Sequence, residues 1–540
     1  MKPGFTIIFL SLFLMSVTSL AQNWPRTFGV YHNAISNEML EAYDKGYVIA
    51  GNQLKGDIMW NGYLIKTDIN GFELWNMKLG RWVDHMWNIL GVEQTKDNGL
   101  ILMGGTDSLD IKYDPCVTKL NMCGEKEWCH IYSNPDDWDY GIKIREVTWG
   151  QGYIALFNYW GDDMANERVW LIRLDEFGEV MWHQVYAQND SSIWNEDGFD
   201  VQVTSDSNFL VTGMCYYPEI PGNDTIYQRP YFILTDSAGQ AIWELPWGVG
   251  NNFVGRAIRS VESADKIFFS CGNDTRWELP YGNSPVIIKT SRNGEAINYY
   301  RIYDSTYLGL ASTITWFRDS TLAIGATYSM SWNSDTKTSI FKTDTLGNII
   351  HKRDLLITDQ TPQGTVTTFD GKVLLTGGFS LPPQMDKIYL WKFNNDLEFD
   401  SIYTRPYTYD SLCPHPIVSD TIDMQCDIIT GLREPIQSPE LCELKAYPNP
   451  ATDHIVFELP AILSFTQSTS HFNVTTYYHK RDKKMVLEAY DLNGRKAFSQ
   501  PVSNDLKEIE ISVSKLHNGM YVFRLLYGGQ VVGSVKIIKN

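Results

Sequence analysis

The 540-residue chain contains no HExxH or GxSxG motif and no phosphate-cradling loop, so nothing in it spells out a metalloprotease, a serine hydrolase or a nucleotide-binding enzyme. Basic residues are also scarce, with 45 Lys and Arg against 64 Asp and Glu and a net charge of −19. A surface of that sign repels phosphate backbones, and no basic stripe offsets it, which excludes nucleic acid as a partner. The eight cysteines include no CxxC unit. Cys116, Cys123, Cys129 and His130 therefore do not read as zinc ligands, and no metal site is expected from cysteine. One long apolar run exists, at residues 5–17, and no second one follows to hold a mature chain in a membrane.

That single run is shorter than the roughly 20 residues a bilayer crossing needs. It follows an early Lys2 and precedes Ser19 and Ala21 at cleavage spacing, so residues 1–21 read as a signal peptide and the mature chain is expected to start at Gln22. Export makes disulfides the expected use of cysteine. Cys413 and Cys426 lie in a Pro-containing, non-repetitive stretch and are expected to pair with each other; Cys116 and Cys129 flank a hairpin and could face one another across it.

What the sequence has in abundance is repetition. Glycines recur after an apolar segment and often four residues before a Trp, as in KTDINGFELW, KLNMCGEKEW, RLDEFGEVMW and LTDSAGQAIW, at positions 71, 124, 178, 239, 294 and 347. A second ladder, DKGYVIAG, DNGLILMG, QGYIALF, DSNFLVTG, ADKIFFSCG, DSTLAIG and DGKVLLTG, runs in phase with the first. Each unit carries a polar turn, a strand, a variable loop, a second strand, a glycine turn and a third strand ending near the Trp, with a less regular strand in front. Four strands per unit of about fifty residues, seven times over, predict an all-β, seven-bladed β-propeller over residues 22–405. The glycines are expected at positive φ in equivalent hairpins, and the Trp residues between neighbouring blades. Residues 24–29 (WPRTFG) and 399–404 (FDSIYT) compete as the strand that closes the ring. The repeats resemble, weakly, quinoprotein-like and delta-60-like propellers; DxxGxxxW also approaches the Asp box of sialidase-type propellers but differs in spacing.

Residues 406–442 hold Pro406, Pro414, Pro416, Pro435 and Pro439 and read as a linker. Beyond it, Tyr447, Pro448, Asn449 and Pro450 precede a strand, residues 487–495 read LEAYDLNGR with Asn493 and Gly494, and Gly519 and Tyr521 open a basic apolar end. These three ordered pieces resemble the type A C-terminal sorting domain of type IX secretion, a small Ig-like β-sandwich, across residues 443–540. The resemblance implies passage through the periplasm, recognition by the type IX machinery and a final place outside the cell or on the outer-membrane surface. Residues 465–484 look like an insertion in that pattern.

In a propeller, the connections between blades and between the second and third strands gather on one face. They hold Trp82, Asp84, His85, Asp137, Trp138, Trp160, Asp163, Trp194, Asp197, Trp277 and Trp332. Aromatic faces stack on sugar rings and carboxylates accept sugar hydroxyls or bind calcium, so these are the candidate ligand-binding residues. Packing of each Trp under its own loop is the structural alternative. No other cofactor is expected. The expected function is binding of a glycan or protein ligand at the cell surface; the alternative is a secreted glycoside hydrolase or lyase, which would need two facing carboxylates. The pairs Asp136/Asp137 and Asp162/Asp163 are adjacent in sequence and point apart.

Overall fold

A computed structural model describes residues 24–29, 33–55, 59–80, 86–106, 113–133, 138–160, 167–186, 193–218, 226–248, 253–275, 283–302, 308–329, 336–357, 361–379, 387–430, 442–459, 485–491, 496–503, 506–527 and 530–540. Two compact units divide the chain, residues 1–432 and 433–540.

The first unit is a ring of seven sheets, each built on four antiparallel strands. Blade 1 runs outward through Ala34–Glu41, Tyr47–Lys55, Met59–Thr67 and Glu73–Leu79. The inner strands of blades 2 to 7 are Asn88–Gln94, Trp138–Glu146, Trp194–Val203, Gly255–Glu262, Leu308–Trp316 and Gly364–Thr367, and each touches the inner strand of its neighbours, blade 7 meeting blade 1. Arg26–Phe28 pairs antiparallel with Lys387–Phe393 and supplies the outer strand of blade 7, so the N-terminal WPRTFG segment closes the ring. Phe399 makes only a single bridge to Phe393. The core lies between blades: one cluster joins Ile101, Met103 and Val117 of blade 2 to Ile144, Ala155 and Phe157 of blade 3.

Both turn ladders are visible as repeated geometry. In the hairpin between third and fourth strands an Asp, Asn or Ser caps its own turn; the Asp68 Oδ1, for example, accepts the N–H groups of Asn70 and Phe72. The six ladder glycines sit at φ +75 to +83, and Leu397 takes the same place in blade 7 at φ +60. Leu397 shows that positive φ alone does not require glycine. Crowding supplies the rest, because a Cβ at Gly178 would lie 2.7 Å from the ring of Trp128, at Gly239 2.6 Å from Trp182, and at Gly294 2.8 Å from Trp243. In each case the ring comes from the outer strand of the preceding blade, and Trp128 and Trp243 also donate Nε1–H to backbone carbonyls of the next blade's turn, at Glu176 and Arg292. Trp and Gly therefore recur together because most blades press an outer aromatic onto the next blade's turn, blade 1 placing Met77 there instead. Lys residues at the ends of third strands are buried and paired to the polar turn between first and second strands, as in Lys66 to Asp44 at 2.7 Å and Lys392 to Asp370 at 2.8 Å.

The inner strands of blades 1 to 6 share a further device, a register shift two to five residues into the strand, at Ser36/Glu38, Ile89/Gly91, Gly141/Lys143, Gly198/Asp200, Ala257/Arg259 and Ala311/Thr313. A bulge leaves one residue unpaired and re-aims the next. Opposite several of these bulges the second strand carries the ladder's closing glycine; a Cβ at Gly213 would meet the Asp197 carbonyl at 2.0 Å and one at Gly272 the Arg256 carbonyl at 1.9 Å.

Residues 406–430, expected to be a linker, lie against blades 1 and 2. Asp420–Ile422 adds a parallel fifth strand to the outer edge of blade 1, and Asp427–Thr430 adds one to blade 2. Two disulfides hold this strap, Cys123–Cys413 and Cys129–Cys426. The expected Cys413–Cys426 pairing is thus corrected. Both strap cysteines reach back about 290 residues to blade 2, because the open edges of blades 1 and 2 offer backbone partners that the short Pro-containing stretch lacks within itself. Cys116 and Cys129 do face each other, with sulfurs 3.7 Å apart, but Cys116 remains a thiol.

The second unit is a small sandwich. A five-stranded sheet of Cys442–Glu443, Gln530–Lys539, Gly519–Tyr527, Met485–Asp491 and Lys496–Val502 shares one core with a three-stranded sheet of Lys445–Tyr447, His454–Glu458 and Glu508–Ser512. Asn449 is bound twice to the last strand, donating to the Lys536 carbonyl at 2.7 Å and accepting the Ile538 N–H at 3.0 Å. The Tyr447–Pro448 and Asn449–Pro450 peptides are cis. Tyr521 is buried and donates to the His517 carbonyl at 3.0 Å. Asn493, Gly494 and residues 465–484 lie outside the described residues.

Candidate ligand site at the loop face

The connections expected to carry function lie largely outside the described residues. Trp82, Asp84, His85, Asp137, Asp163, Trp277 and Trp332 lie outside the described residues. Trp138, Trp160 and Trp194 are placed by their backbone at loop-face strand ends, Trp138 paired in register with Trp160 and Trp194 with Tyr216. Asp197 is the one candidate whose side chain is among those described.

Asp197 stands where the inner strands of blades 3, 4 and 5 approach one another. It accepts a short hydrogen bond from Asn158 Nδ2, and Asn158 Oδ1 in turn accepts the Gly198 N–H at 2.9 Å, so one blade 3 amide fixes the blade 4 strand. Burial, followed by the nearby Glu167 carboxylate, pushes the Asp197 carboxyl up to about 8, against the opposing pull of Asn158 and Arg256. It is therefore held protonated at neutral pH. Glu196, the preceding residue, points the other way and is fully buried against Arg168. Burial outweighs Arg168 there and pushes the Glu196 carboxyl to about 8 as well. Arg256, from the inner strand of blade 5, is only partly buried, and its Nε has no hydrogen-bond partner among the described residues. Glu167 connects this group to an aromatic surface, since its charge also reaches Tyr140. Tyr140 stacks on Tyr113 at 5.6 Å, and Tyr113 meets Trp87 edge-on at 5.2 Å.

Below this group the axial channel is crossed by charge. Arg259 of blade 5 donates to Glu38 of blade 1 at 3.0 Å and to the Asn37 carbonyl at 3.1 Å. Lys143 of blade 3 pairs with the same Glu38, and Arg145 lies 3.5 Å from Asp200 of blade 4. Glu38, Lys143, Asp200 and Arg259 are the residues that follow four of the six inner-strand bulges. Burial, then the Arg259 and Arg145 cations, holds Lys143 well below the usual lysine range. The same burial raises Glu93, beside Arg145, to about 7. Polar groups from opposite blades thus meet on the axis, so a ligand on the loop face would stop at the mouth.

Asn158, Glu167, Arg168, Glu196, Arg256 and the axial residues were not singled out from sequence. Their signal was present: NEDGFDVQV, WDYGIKIRE and GRAIRSVE place charged residues inside strands whose neighbours are apolar, which a purely structural inner strand would not need.

Comparison with known proteins places the second unit. No curated protein matches the chain. Among solved structures, the Dos1 propeller aligns over 74% of this chain and 81% of its own length at 10% identity and a TM-score of 0.38. A PL25 ulvan lyase aligns over 68% and 95% at 9% identity and 0.43. The GH93 α-L-arabinofuranosidase of Fusarium graminearum aligns over 66% and 92% at 10% identity and 0.33. These are likenesses of architecture. Residues 445–540 match the family of secretion system C-terminal sorting domains, the address of type IX cargo, and the protein is accordingly delivered by way of the periplasm to the outer-membrane surface or beyond.

Proposed function

We propose that the propeller is an exported binding module that takes a hydroxyl-rich ligand, a glycan, on the loop face where blades 3, 4 and 5 meet. The observation that carries this is the chemistry around Asp197. A protonated carboxyl both donates and accepts, the partly exposed Arg256 guanidinium donates, and the Tyr113–Tyr140 stack with Trp87 supplies ring surface nearby. That mixture suits neutral hydroxyls and flat apolar sugar faces. The loop-face residues Trp82, Asp84, His85, Asp137, Asp163, Trp277 and Trp332, with Trp138, Trp160 and Trp194, would extend the same surface. Calcium would enter through their carboxylates, and an EDTA arm tests it. Residues 1–21 serve as the export signal in this reading.

The test is affinity electrophoresis and calorimetry of the purified chain against a polysaccharide panel, with Arg256→Ala and Asp197→Asn beside it. Binding by the native chain that falls about tenfold in the variants, some 1.4 kcal/mol, is expected. No binding to any polysaccharide, or binding by both variants equal to that of the native chain, overturns the reading, and capture of a surface protein instead would assign the face to protein recognition.

A second reading has its own observation. A half-buried carboxyl held near 8 beside a second carboxylate, Glu167, is the arrangement a general acid requires. A polysaccharide hydrolase would release reducing ends and a lyase unsaturated ends. Asp197→Asn would abolish release while leaving binding in place.

A further inference from the structure

Three sulfurs meet under the strap. Cys129 and Cys426 are bonded, Cys116 Sγ lies 3.7 Å from Cys129 Sγ, and all three lie within 4.8 Å of one another. Cys116 is 1% exposed and is neither bonded nor needed for the polar turn of its blade. Its strand, Asp114–Leu120, pairs with Lys126–Ser133, which carries Cys129 on its inner side and the strap strand Asp427–Thr430 on its outer side. The same Cys129 thus stands between two possible partners, one 13 residues away in its own hairpin and one 297 residues away in the strap.

We propose that Cys116, Cys129 and Cys426 form a thiol–disulfide exchange triad that sets whether the strap is clasped to blade 2. In one isomer Cys129 is bonded to Cys426, the strap is clasped and Cys116 is a thiol. In the other Cys116 is bonded to Cys129 and Cys426 is free. The Cys116 thiolate attacks Cys129 Sγ, a Cys116–Cys129 bond forms as the Cys129–Cys426 bond breaks, and the Cys426 thiolate leaves and takes up the proton Cys116 lost. The number of disulfides is unchanged, so no oxidant or reductant enters. During folding the reverse step operates: the local hairpin bond forms first, and the strap's arrival displaces it. In the clasped state burial pushes the Cys116 thiol up to about 12, which leaves almost no thiolate and keeps the clasp shut until the strap strand opens.

The second disulfide, Cys123–Cys413, has no third cysteine sulfur beside it among the described residues and serves as the internal control. The experiment incubates the full oxidised chain in urea below the ring's unfolding midpoint, follows amide exchange at Ile428 and Ile429, quenches by alkylation and maps peptides without reduction. Expected is a Cys116–Cys129 linked peptide together with alkylated Cys426, both appearing as those amides exchange and both absent from Cys116→Ser and Cys116→Ala, with Cys123–Cys413 intact throughout. If Cys129–Cys426 stays the only isomer after the strap amides have exchanged, or if Cys426 is alkylated in the two variants as much as in the native chain, the triad does not exchange.

Discussion

The two faces of the ring use the same strands for opposite ends. On the turn face every blade repeats a side-chain-capped turn with a left-handed residue; blades 1, 2, 6 and 7 add a buried lysine tied to an acidic turn, and most of the turn glycines meet an aromatic of the preceding blade. All of these groups are partnered, and what they supply is cohesion between blades. On the loop face the repeat dissolves. Blades 3, 4 and 5 place Asn158, Asp197 and Arg256 at strand ends that have no equivalents in blades 6 and 7, and two carboxyls are held far from their ordinary state by burial. A propeller can carry such a group because the opposite face supplies its stability, so strain at one end of a strand is separated from the contacts at the other.

This contrast breaks first on the turn face if it is wrong. Lys66→Met removes the cation that neutralises Asp44, a side chain only 2% exposed, and should cost about 3–5 kcal/mol in urea unfolding because the carboxylate is left buried without its partner. A loss below about 1 kcal/mol, the value of an exposed pair, would mean that the turn-face network is solvated decoration. Ligand binding measured below the unfolding midpoint should be unaltered.

A smaller effect separates conformation from crowding. Gly239→Ala places a Cβ against Trp182 at φ +81, whereas Gly371→Ala at φ +74 meets nothing nearer than Arg318 at 3.6 Å. The first should lose about 2–4 kcal/mol and the second about 1 kcal/mol, since only the first adds overpacking to the backbone cost. Equal losses would show that Trp does not select glycine in these turns.

On the loop face the expected stability effect depends on pH. The folded Asp197 carboxyl titrates near 8 and its unfolded counterpart near the ordinary aspartate value of 3.8, so between them the folded state holds more protons and stability falls as pH rises. Asp197→Asn keeps an acceptor for Asn158 and removes that titration. The variant should therefore gain on the native chain steadily from pH 4 to pH 8 in thermal melts. A difference that stays flat across this range would place the Asp197 carboxyl in an ordinary, ionised state.

The same division explains what could be read from sequence. The turn face was legible because its constraints are local: positive φ, one glycine and one Trp at fixed spacing recur whatever the loops do, and the closing strand was narrowed to two segments, WPRTFG and FDSIYT, of which the first closes the ring. The sorting unit was legible for the same reason, through Tyr447 to Pro450 and the last strand that Asn449 binds. The strap was not, because Cys413 and Cys426 pair with edges set by blade 2, and short parallel strands bonded on one side leave no alternation to read. At the loop face Asp197 was named but its partners were missed. Asn158 and Arg256 come from neighbouring blades, and only ring closure brings three strand ends together.

The central claim is that this loop-face group, and not the turn face, meets the ligand. It is tested most directly by comparing polysaccharide binding by Arg256→Ala with binding by Gly371→Ala, both assayed as full, folded chains. The account predicts about tenfold weaker binding for Arg256→Ala and native affinity for Gly371→Ala; native affinity for both, or equal loss in both, would contradict it.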